Sequence, residues 1–262
     1  MEFLDALAPL ASLTDAPIAI FAGVFMRLSA LVFFLPGLGE QAVSARVRLG
    51  AAIAGALVLT PVVMAGKVAA PETPALVLQL LVAEALSGAV IGFSIRVAVF
   101  ALQMAGVIIA QTLSLSQAFD AGLNGEAEPA MATLLMLAGV ALAVTSGLHF
   151  EAIRALALSY EVMPFGAFPG AADAGSWAAD RAGFAFAAAL GLSLPFVMLA
   201  YIYNLAIGAA NRAMPMLSVS FIGAPAITLA SLVLLAVSAV PILTAWMKIM
   251  SASLVTLTGN AP

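Results

Sequence analysis

The stretch "YIYNLAIGAANRAMPMLSVSFIGAP", from Tyr201 to Pro225, decides how the chain can fold. It has the hydropathy of a membrane helix, yet it contains two asparagines, an arginine and two prolines. At membrane depth, irregular backbone is tolerated only where it packs in protein or lines water. We therefore predict that the stretch is the bend of a helical hairpin, with Ala182–Ala210 as its first arm and Met216 opening the second.

The polar residues and prolines of this stretch have separate predicted roles. Asn211 and Arg212 are expected at the bend, where backbone groups lose their helical partners. Pro215 is expected to restart the helix, because proline is favoured in a first helical turn. Gly223 and Pro225 indicate a second break in the chain.

The chain as a whole has the composition of an integral membrane protein. Of its 262 residues, 64% are hydrophobic and 8% are charged, whereas a soluble domain is about half apolar and a quarter charged. The length accommodates roughly five to seven spans of about 20 residues. The net charge of −4 is small and scattered, which argues against a nucleic-acid partner. No Lys or Arg precedes Arg27, so no cleaved secretory signal is expected.

Charged residues divide the chain into hydrophobic runs. These runs are Ile18–Leu35, Leu49–Gly66, Pro74–Phe119, Pro129–Leu148, Ala182–Ala210 and Ala213–Met247. As straight helices, the last two would be about 43 and 52 Å long, against a hydrocarbon core of about 30 Å. Breaks are therefore predicted at Pro195, Pro225 and Pro241. The predicted fold class is an all-α integral membrane protein of helical hairpins with broken helices.

Three charged residues interrupt the first runs. Arg27 lies near the middle of its run, where a charge costs about 2.5–3.5 kcal/mol on insertion scales. Glu84 and Arg96 are too far apart along one helix to pair with each other. We predict that Glu84 pairs with Arg27 across two helices, so that exchanging the two charges should rescue either single neutralisation. The alternative is that all three lie near helix ends and extend to the membrane surface.

Gly88 and Gly92 lie one helical turn apart in "EALSGAVIGF". Small residues at this spacing allow helix backbones to approach closely, so both glycines are predicted to serve helix packing.

The residues give no support for an enzyme. His149 is the only histidine and cysteine is absent, so no metal site or cofactor is expected. No phosphate-binding glycine loop occurs in the sequence. A small-solute transporter is an alternative, because Arg27, Glu84, Asn204 and Asn211 could serve a site at mid-membrane. The two halves, however, show no inverted repeat.

Three separated motifs resemble the FliR/SctT family of type III export gate components. The first is "FMRLSALVFFLPGLGEQAVSARVRLGAAIAGALVLTP" (25–61), with an Arg in the first helix and a basic start to the second. The second is "EALSGAVIGF" (84–93), and the third is "YNLAIGAANRAMPMLSVSFIGAP" (203–225). The motifs occur in order and span most of the chain. The sequence of the first motif is more similar to the flagellar branch of the family than to the virulence branch. The alternative is an SctT-type subunit of a virulence secretion system.

The resemblance implies a fold in two parts and a non-enzymatic function. Residues 1–165 would be a FliP-like helical part, and 166–262 a linker with a FliQ-like C-terminal hairpin. The chain would be a channel-forming subunit of the flagellar export gate in the bacterial inner membrane, at the flagellar basal body. Its partners would be FliP-like and FliQ-like subunits, an FlhB-like switch subunit, membrane lipid and unfolded export substrates in transit.

The resemblance also implies roles for particular residues. The loop around Gln111 to Glu128, which begins within the end of the long third run, would line or plug the channel, through Gln111, Ser114, Ser116, Gln117, Phe119 and Asp120. A second group would form buried polar and assembly contacts, namely Arg27, Glu84, Asn204, Asn211 and Arg212.

Overall fold

The structure of the protein, a computed structural model, describes residues 16–40, 42–66, 71, 73–112, 130–168, 171–213 and 219–255. Within these residues the chain forms seven α-helices and no strand. The helices are α1 (Ala16–Phe34), α2 (Ala45–Ala65), α3 (Pro74–Thr112), α4 (Ala130–Thr145), α5 (Leu148–Val162), α6 (Ala171–Ala213) and α7 (Val219–Val255).

Most of these helices have the length and composition of membrane spans. Five segments, in α1, α2, α3, α6 and α7, are long and apolar enough to cross a membrane. Counting the bent pair of α4 and α5 as one span gives a sixth. Mean hydropathy is highest in the α7 span, at 2.4. The predicted all-α integral membrane class is confirmed.

The prolines predicted as helix breaks lie inside continuous helices. α6 runs for 43 residues through Pro195, and α7 runs for 37 residues through Pro225 and Pro241. The predicted breaks at these positions are therefore wrong. In an apolar setting, neighbouring groups can satisfy the single carbonyl that a proline leaves free, so the helix continues.

The helix direction changes sharply at a glycine between α4 and α5. α4 and α5 meet at an angle of 69°, and Gly147 between them has a φ of +80°. Glycine adopts this left-handed conformation without the steric cost of a side chain, so the helix direction can change there within two residues.

The chain divides into two compact units that interleave along the sequence. The first unit comprises Met1–Arg96, Ala143–Asp180 and Ser251–Pro262, and the second comprises Val97–Leu142 and Arg181–Met250. The predicted boundary between 165 and 166 rests on family resemblance to FliP-like and FliQ-like parts, and it stays a prediction.

The core of the second unit is built around Trp246 of α7. Its side chain is fully buried, and its indole Nε1 donates to the carbonyl of Ala98 at 2.7 Å. A methyl group at Gly139 of α4 would lie 3.3 Å from the indole ring and would overlap Leu102 of α3. Close contact at these small residues lets three helices pack around one large aromatic side chain.

The end of α6 and the start of α7 form the predicted hairpin. Gly223 is buried against α6, where an added methyl group would lie 2.9 Å from Ile207 and would overlap the Tyr203 hydroxyl. The predicted break at Gly223 is wrong, because α7 continues through this glycine. The absence of a side chain at Gly223 instead lets α6 and α7 approach each other closely. Asn211 and Arg212 lie in the last turn of α6, which ends at Ala213. Pro215 lies outside the described residues.

Candidate functional site

A fully buried arginine and glutamate form the centre of the first unit. Arg27 of α1 and Glu84 of α3 both have side chains at 0% exposure. Arg27 Nε donates to Glu84 Oε2 at 2.7 Å, and its Nη2 donates to Oε1 at 3.0 Å. This two-pronged geometry is the strongest form of the arginine–carboxylate pair. The predicted pairing across two helices is confirmed, and neither residue extends to a surface.

The same guanidinium also holds the end of α5. Its Nη1 donates to Ser159 Oγ at 3.1 Å, and its Nη2 donates to the carbonyl of Met163 at 3.1 Å. Its central carbon lies 3.9 Å from the ring centroid of Tyr160, a cation–π contact. Arg27 therefore joins α1 and α3 to α5 and to the residues just after it.

Glu84 has partners on its other side as well. Its Oε1 accepts the backbone N–H of Gly166 at 2.7 Å, and its Oε2 accepts the Tyr160 hydroxyl at 3.4 Å. Gly166 has a φ of +76°, which favours glycine and aims its N–H at the carboxylate. The Arg27 cluster, defined as Arg27, Glu84, Ser159, Tyr160, Met163 and Gly166, thus fixes the turn that follows α5.

Glycines on α3 and α1 allow the cluster to close. A methyl group at Gly88, one turn after Glu84, would overlap the backbone of Arg27 and lie 2.8 Å from its carbonyl carbon. A methyl group at Gly92 would lie 2.8 Å from Cβ of Phe34. The predicted helix-packing role of both glycines is confirmed. Gly23 leaves similar room on α1 for the ring of Phe165, which would lie 2.6 Å from an added methyl group.

The chemistry of the cluster suits a structural role, in which it holds α1, α3 and α5 together. A buried ion pair stabilises a fold only when its remaining donors and acceptors are also satisfied. Here the guanidinium makes four hydrogen bonds to three residues, and the carboxylate accepts four hydrogen bonds from three residues. Ser159 in turn donates to the carbonyl of Leu156 at 2.6 Å. These bonds leave the cluster little capacity to bind a solute.

A second charged pair lies near a helix end. Arg96 Nη1 of α3 lies 2.5 Å from Glu40 Oε1, and the two side chains are 21% and 25% exposed. Arg48 Nη2 donates to the carbonyls of Glu40 and Val43, at 3.0 and 2.8 Å. Of the three interrupting charges, Arg96 is therefore the one that fits the alternative of a partly exposed position.

The remaining predicted site residues are not members of the Arg27 cluster. Asn204, Asn211 and Arg212 are exposed on α6 in the single chain, and their predicted burial against another subunit stays a prediction. In this last part of α6, Tyr203 and Ile207 are half-buried on the face that packs against α7, and the other faces of the helix are exposed. Gln111 is exposed near the end of α3. The other predicted channel-loop residues, Ser114, Ser116, Gln117, Phe119 and Asp120, lie outside the described residues.

Sequence reasoning missed the α5 side of the cluster. Ser159, Tyr160 and Gly166 contribute three of its partners, yet none was singled out. The available signal was a serine and a tyrosine beside a charge, in the short stretch "LSYEVMPFG" (158–166) after an apolar run. Buried polar residues at the end of an apolar helix are expected to hydrogen-bond a neighbour.

Comparison with known proteins gives a consistent result. The family model for bacterial export proteins, family 1, matches residues 18–253. A flagellar biosynthetic protein FliR from Caulobacter vibrioides is 32% identical over 235 residues, covering 89% of this chain and 93% of the relative. The proteins of the same name from Escherichia coli and Pectobacterium carotovorum are 31% and 30% identical, covering 76% and 77% of this chain and the same shares of their own. The resemblance predicted from the three motifs is confirmed.

Proposed function

The chain belongs to family 1 of the bacterial export proteins, and on that premise we propose that it is a structural, channel-forming subunit of the flagellar type III protein export gate. In this proposal the chain lies in the bacterial inner membrane at the flagellar basal body and is needed for export of flagellar subunits. The names of the three relatives support the flagellar branch over an SctT-type virulence subunit.

The observation that supports a structural role is the closed bonding of the Arg27 cluster. A solute carrier uses its intramembrane charges to bind what it carries, so they face a cavity that the solute can enter. Arg27 and Glu84 instead bond to each other and to the end of α5, with no exposed surface. Their bonds favour a scaffold over a small-solute transporter.

The proposed partners are FliP-like and FliQ-like subunits, with an FlhB-like subunit nearby. Asn204, Asn211 and Arg212 support this part of the proposal, because they are polar, lie on an apolar helix and are exposed in the single chain. Hydrogen bonds between helices in an apolar setting contribute about 0.6–2 kcal/mol each, enough to fix the register of neighbouring subunits.

The channel-lining role of the loop after α3 remains part of the proposal through family resemblance. Deleting residues 117–126 should raise ion leak through the assembled gate if the loop closes the channel. Normal leak, with the assembly intact, would reduce this loop to a connector.

The experiment that tests the function is a chromosomal deletion followed by complementation. Loss of motility and of flagellar subunits in the culture medium, restored by the wild-type chain, is the expected result. Normal motility would refute the flagellar assignment. Normal filaments with loss of uptake of a solute would favour the transporter alternative instead.

A further inference from the structure

An apolar cavity lies between α1, α2, α4 and α5 in the first unit. Its volume is about 470 Å³, and its walls include Leu28 and Leu35 of α1, Leu38 of the following turn, Ala51 of α2 and Ile153 of α5. Among the lining residues that the structure describes, His149 is the single titratable one. Apolar cavities of this kind exclude water and are filled by apolar ligands, and this volume lies within the usual range for ligand sites.

Helix α2 sets the depth of this cavity relative to a membrane. It has 21 residues, so it is about 31 Å long, close to the thickness of the hydrocarbon core. Its charged residues, Arg46 and Arg48, both lie in its first turn. Basic residues at one end of an apolar helix are typical of the headgroup level. Ala51 follows Arg48 by three residues on the same face, so the cavity opens just beneath that level.

The first turn of α2, which precedes the cavity wall at Ala51, is suited to an anion. Arg48 is tied through Nη2 to the loop before α2, while its Nε is buried without a hydrogen-bond partner in the described chain. Arg46 is exposed. Ser44 caps α2 without a side-chain hydrogen bond, so the N–H groups of Ala45 and Arg46 are available to an anion, whereas those of Val47 and Arg48 donate to the Ser44 carbonyl. The nearest acid, Glu40, is already paired with Arg96.

From these observations we propose that the cavity binds one acyl chain of an anionic membrane phospholipid, with the phosphate at Arg46 and Arg48. The apolar lining of the cavity favours a lipid tail over a protein segment. A protein segment would bring backbone N–H and C=O groups, each of which needs a partner when buried. Only the imidazole of His149 offers one from a lining side chain. An acyl chain needs none, and the proposal is independent of the function proposed above.

The test uses the full chain in non-ionic detergent, with lipid binding followed by native mass spectrometry. The probes are palmitoyl-oleoyl phosphatidylglycerol and, with the same tails and a neutral head, palmitoyl-oleoyl phosphatidylcholine. Arg46→Gln or Arg48→Gln should each weaken phosphatidylglycerol binding about fivefold. Phosphatidylcholine has the same phosphate but no net charge, so its binding should fall by a clearly smaller factor. Arg154→Gln, an exposed charge on α5, is the matched control and should leave both unchanged.

The tail pocket is tested by filling it. Ala51→Leu should reduce binding of phosphatidylglycerol about tenfold or more, because the added side chain occupies space that the tail needs. Gly50→Leu on the same helix has nothing within 4 Å of its added carbon and should bind like wild type. Equal effects of Ala51→Leu and Gly50→Leu on phosphatidylglycerol binding, or equal effects of the arginine variants on the two lipids, would overturn the proposal.

A measurement on the unaltered chain covers the case in which Ala51→Leu does not fold. Phosphatidylglycerol with a photoactivatable group at the end of one tail should label the segment Leu28–Leu38. Labelling confined to the exposed α2 residues Val58 and Val62 would overturn the proposal. It would equally be overturned if Ala51→Leu left lipid binding intact but abolished co-purification with other export subunits, since the cavity would then receive a protein.

Discussion

The Arg27 cluster and the Tyr201–Pro225 stretch pose the same problem in sequence and solve it differently in structure. Both place polar side chains in runs whose hydropathy is that of membrane. In the cluster, Arg27 and Glu84 are fully buried, with partners on three elements. In the stretch, Asn204, Asn211 and Arg212 are exposed on α6. The first set completes its bonds within the chain, whereas the second leaves its polar groups available.

This contrast separates two reasons for retaining polar residues in an apolar protein. A polar group satisfied within the chain fixes how its own helices pack, and its removal is expected to harm folding. A polar group left open in the single chain has no such effect, and any cost of removing it should appear only with a partner present. The predictions below test this separation, beginning with the largest effect.

Removing one member of the buried pair should have the largest effect. Arg27→Ala or Glu84→Ala leaves an uncompensated buried charge and should cost about 3–5 kcal/mol. We expect a much lower unfolding midpoint in detergent and less chain in the membrane. The matched control is Arg96→Ala, which removes a partly exposed pair and should cost about 1 kcal/mol or less. Equal losses in the two pairs would contradict the structural role of the cluster.

Exchanging the two charges should rescue only part of this loss. The cluster is asymmetric, because Met163 offers a carbonyl to Arg27 and Gly166 offers an N–H to Glu84. In Arg27→Glu with Glu84→Arg, each of these backbone groups would face a side chain of the wrong kind. The exchanged protein should therefore unfold between the single variants and wild type. Full rescue would mean that the two backbone contacts contribute nothing.

Glycine substitutions extend the comparison from charges to packing. Gly88→Ala would push a methyl group into the backbone of Arg27 and should cost about 1–3 kcal/mol. Gly208→Ala, within the Tyr201–Pro225 stretch, has nothing within 4 Å of the added carbon. It should be neutral or stabilising by up to about 1 kcal/mol, because alanine favours a helix. Unfolding midpoints of the two purified variants distinguish a packed glycine from an open one.

Partners on α5 should contribute smaller increments to the cluster. Ser159→Ala removes an acceptor of Arg27 and should cost about 1–2 kcal/mol. Tyr160→Phe should cost less, because its hydroxyl lies 3.4 Å from Glu84 and the ring over Arg27 is kept. Unfolding midpoints in one detergent rank the two variants. If Tyr160→Phe costs more than Ser159→Ala, the hydroxyl of Tyr160 contributes more to stability than this geometry indicates.

Two of the six cluster residues could be predicted from sequence, for a simple electrostatic reason. Two opposite charges in separate apolar runs each need a partner, so the pairing of Arg27 with Glu84 followed from their types and positions. The rest could not be predicted in the same way. Ser159 and the backbone N–H of Gly166 are partners only because the turn after α5 reaches the pair, and that turn depends on tertiary packing.

The helix breaks show a second limit. Proline residues predicted breaks in α6 and α7, yet both helices continue through them. The sharp bend occurs instead at Gly147, within "TSGLHF" (145–150), where no proline lies. Sequence identifies residues that permit a break, whereas the surrounding packing decides which of them is used.

The exposed residues of α6 give the smallest expected effect on the chain itself. Arg212→Ala should change its free energy of unfolding by no more than about 0.5 kcal/mol, because the side chain lies at an exposed helix end. If Arg212 contacts a neighbouring subunit, the same variant should co-purify less FliP-like and FliQ-like protein. Arg154→Ala, an exposed arginine on α5, is the matched control and should change neither quantity. Lost stability without lost assembly would place Arg212 with Arg27, as a residue that serves its own chain. Intact assembly with lost export would assign Arg212 to the path of the substrate.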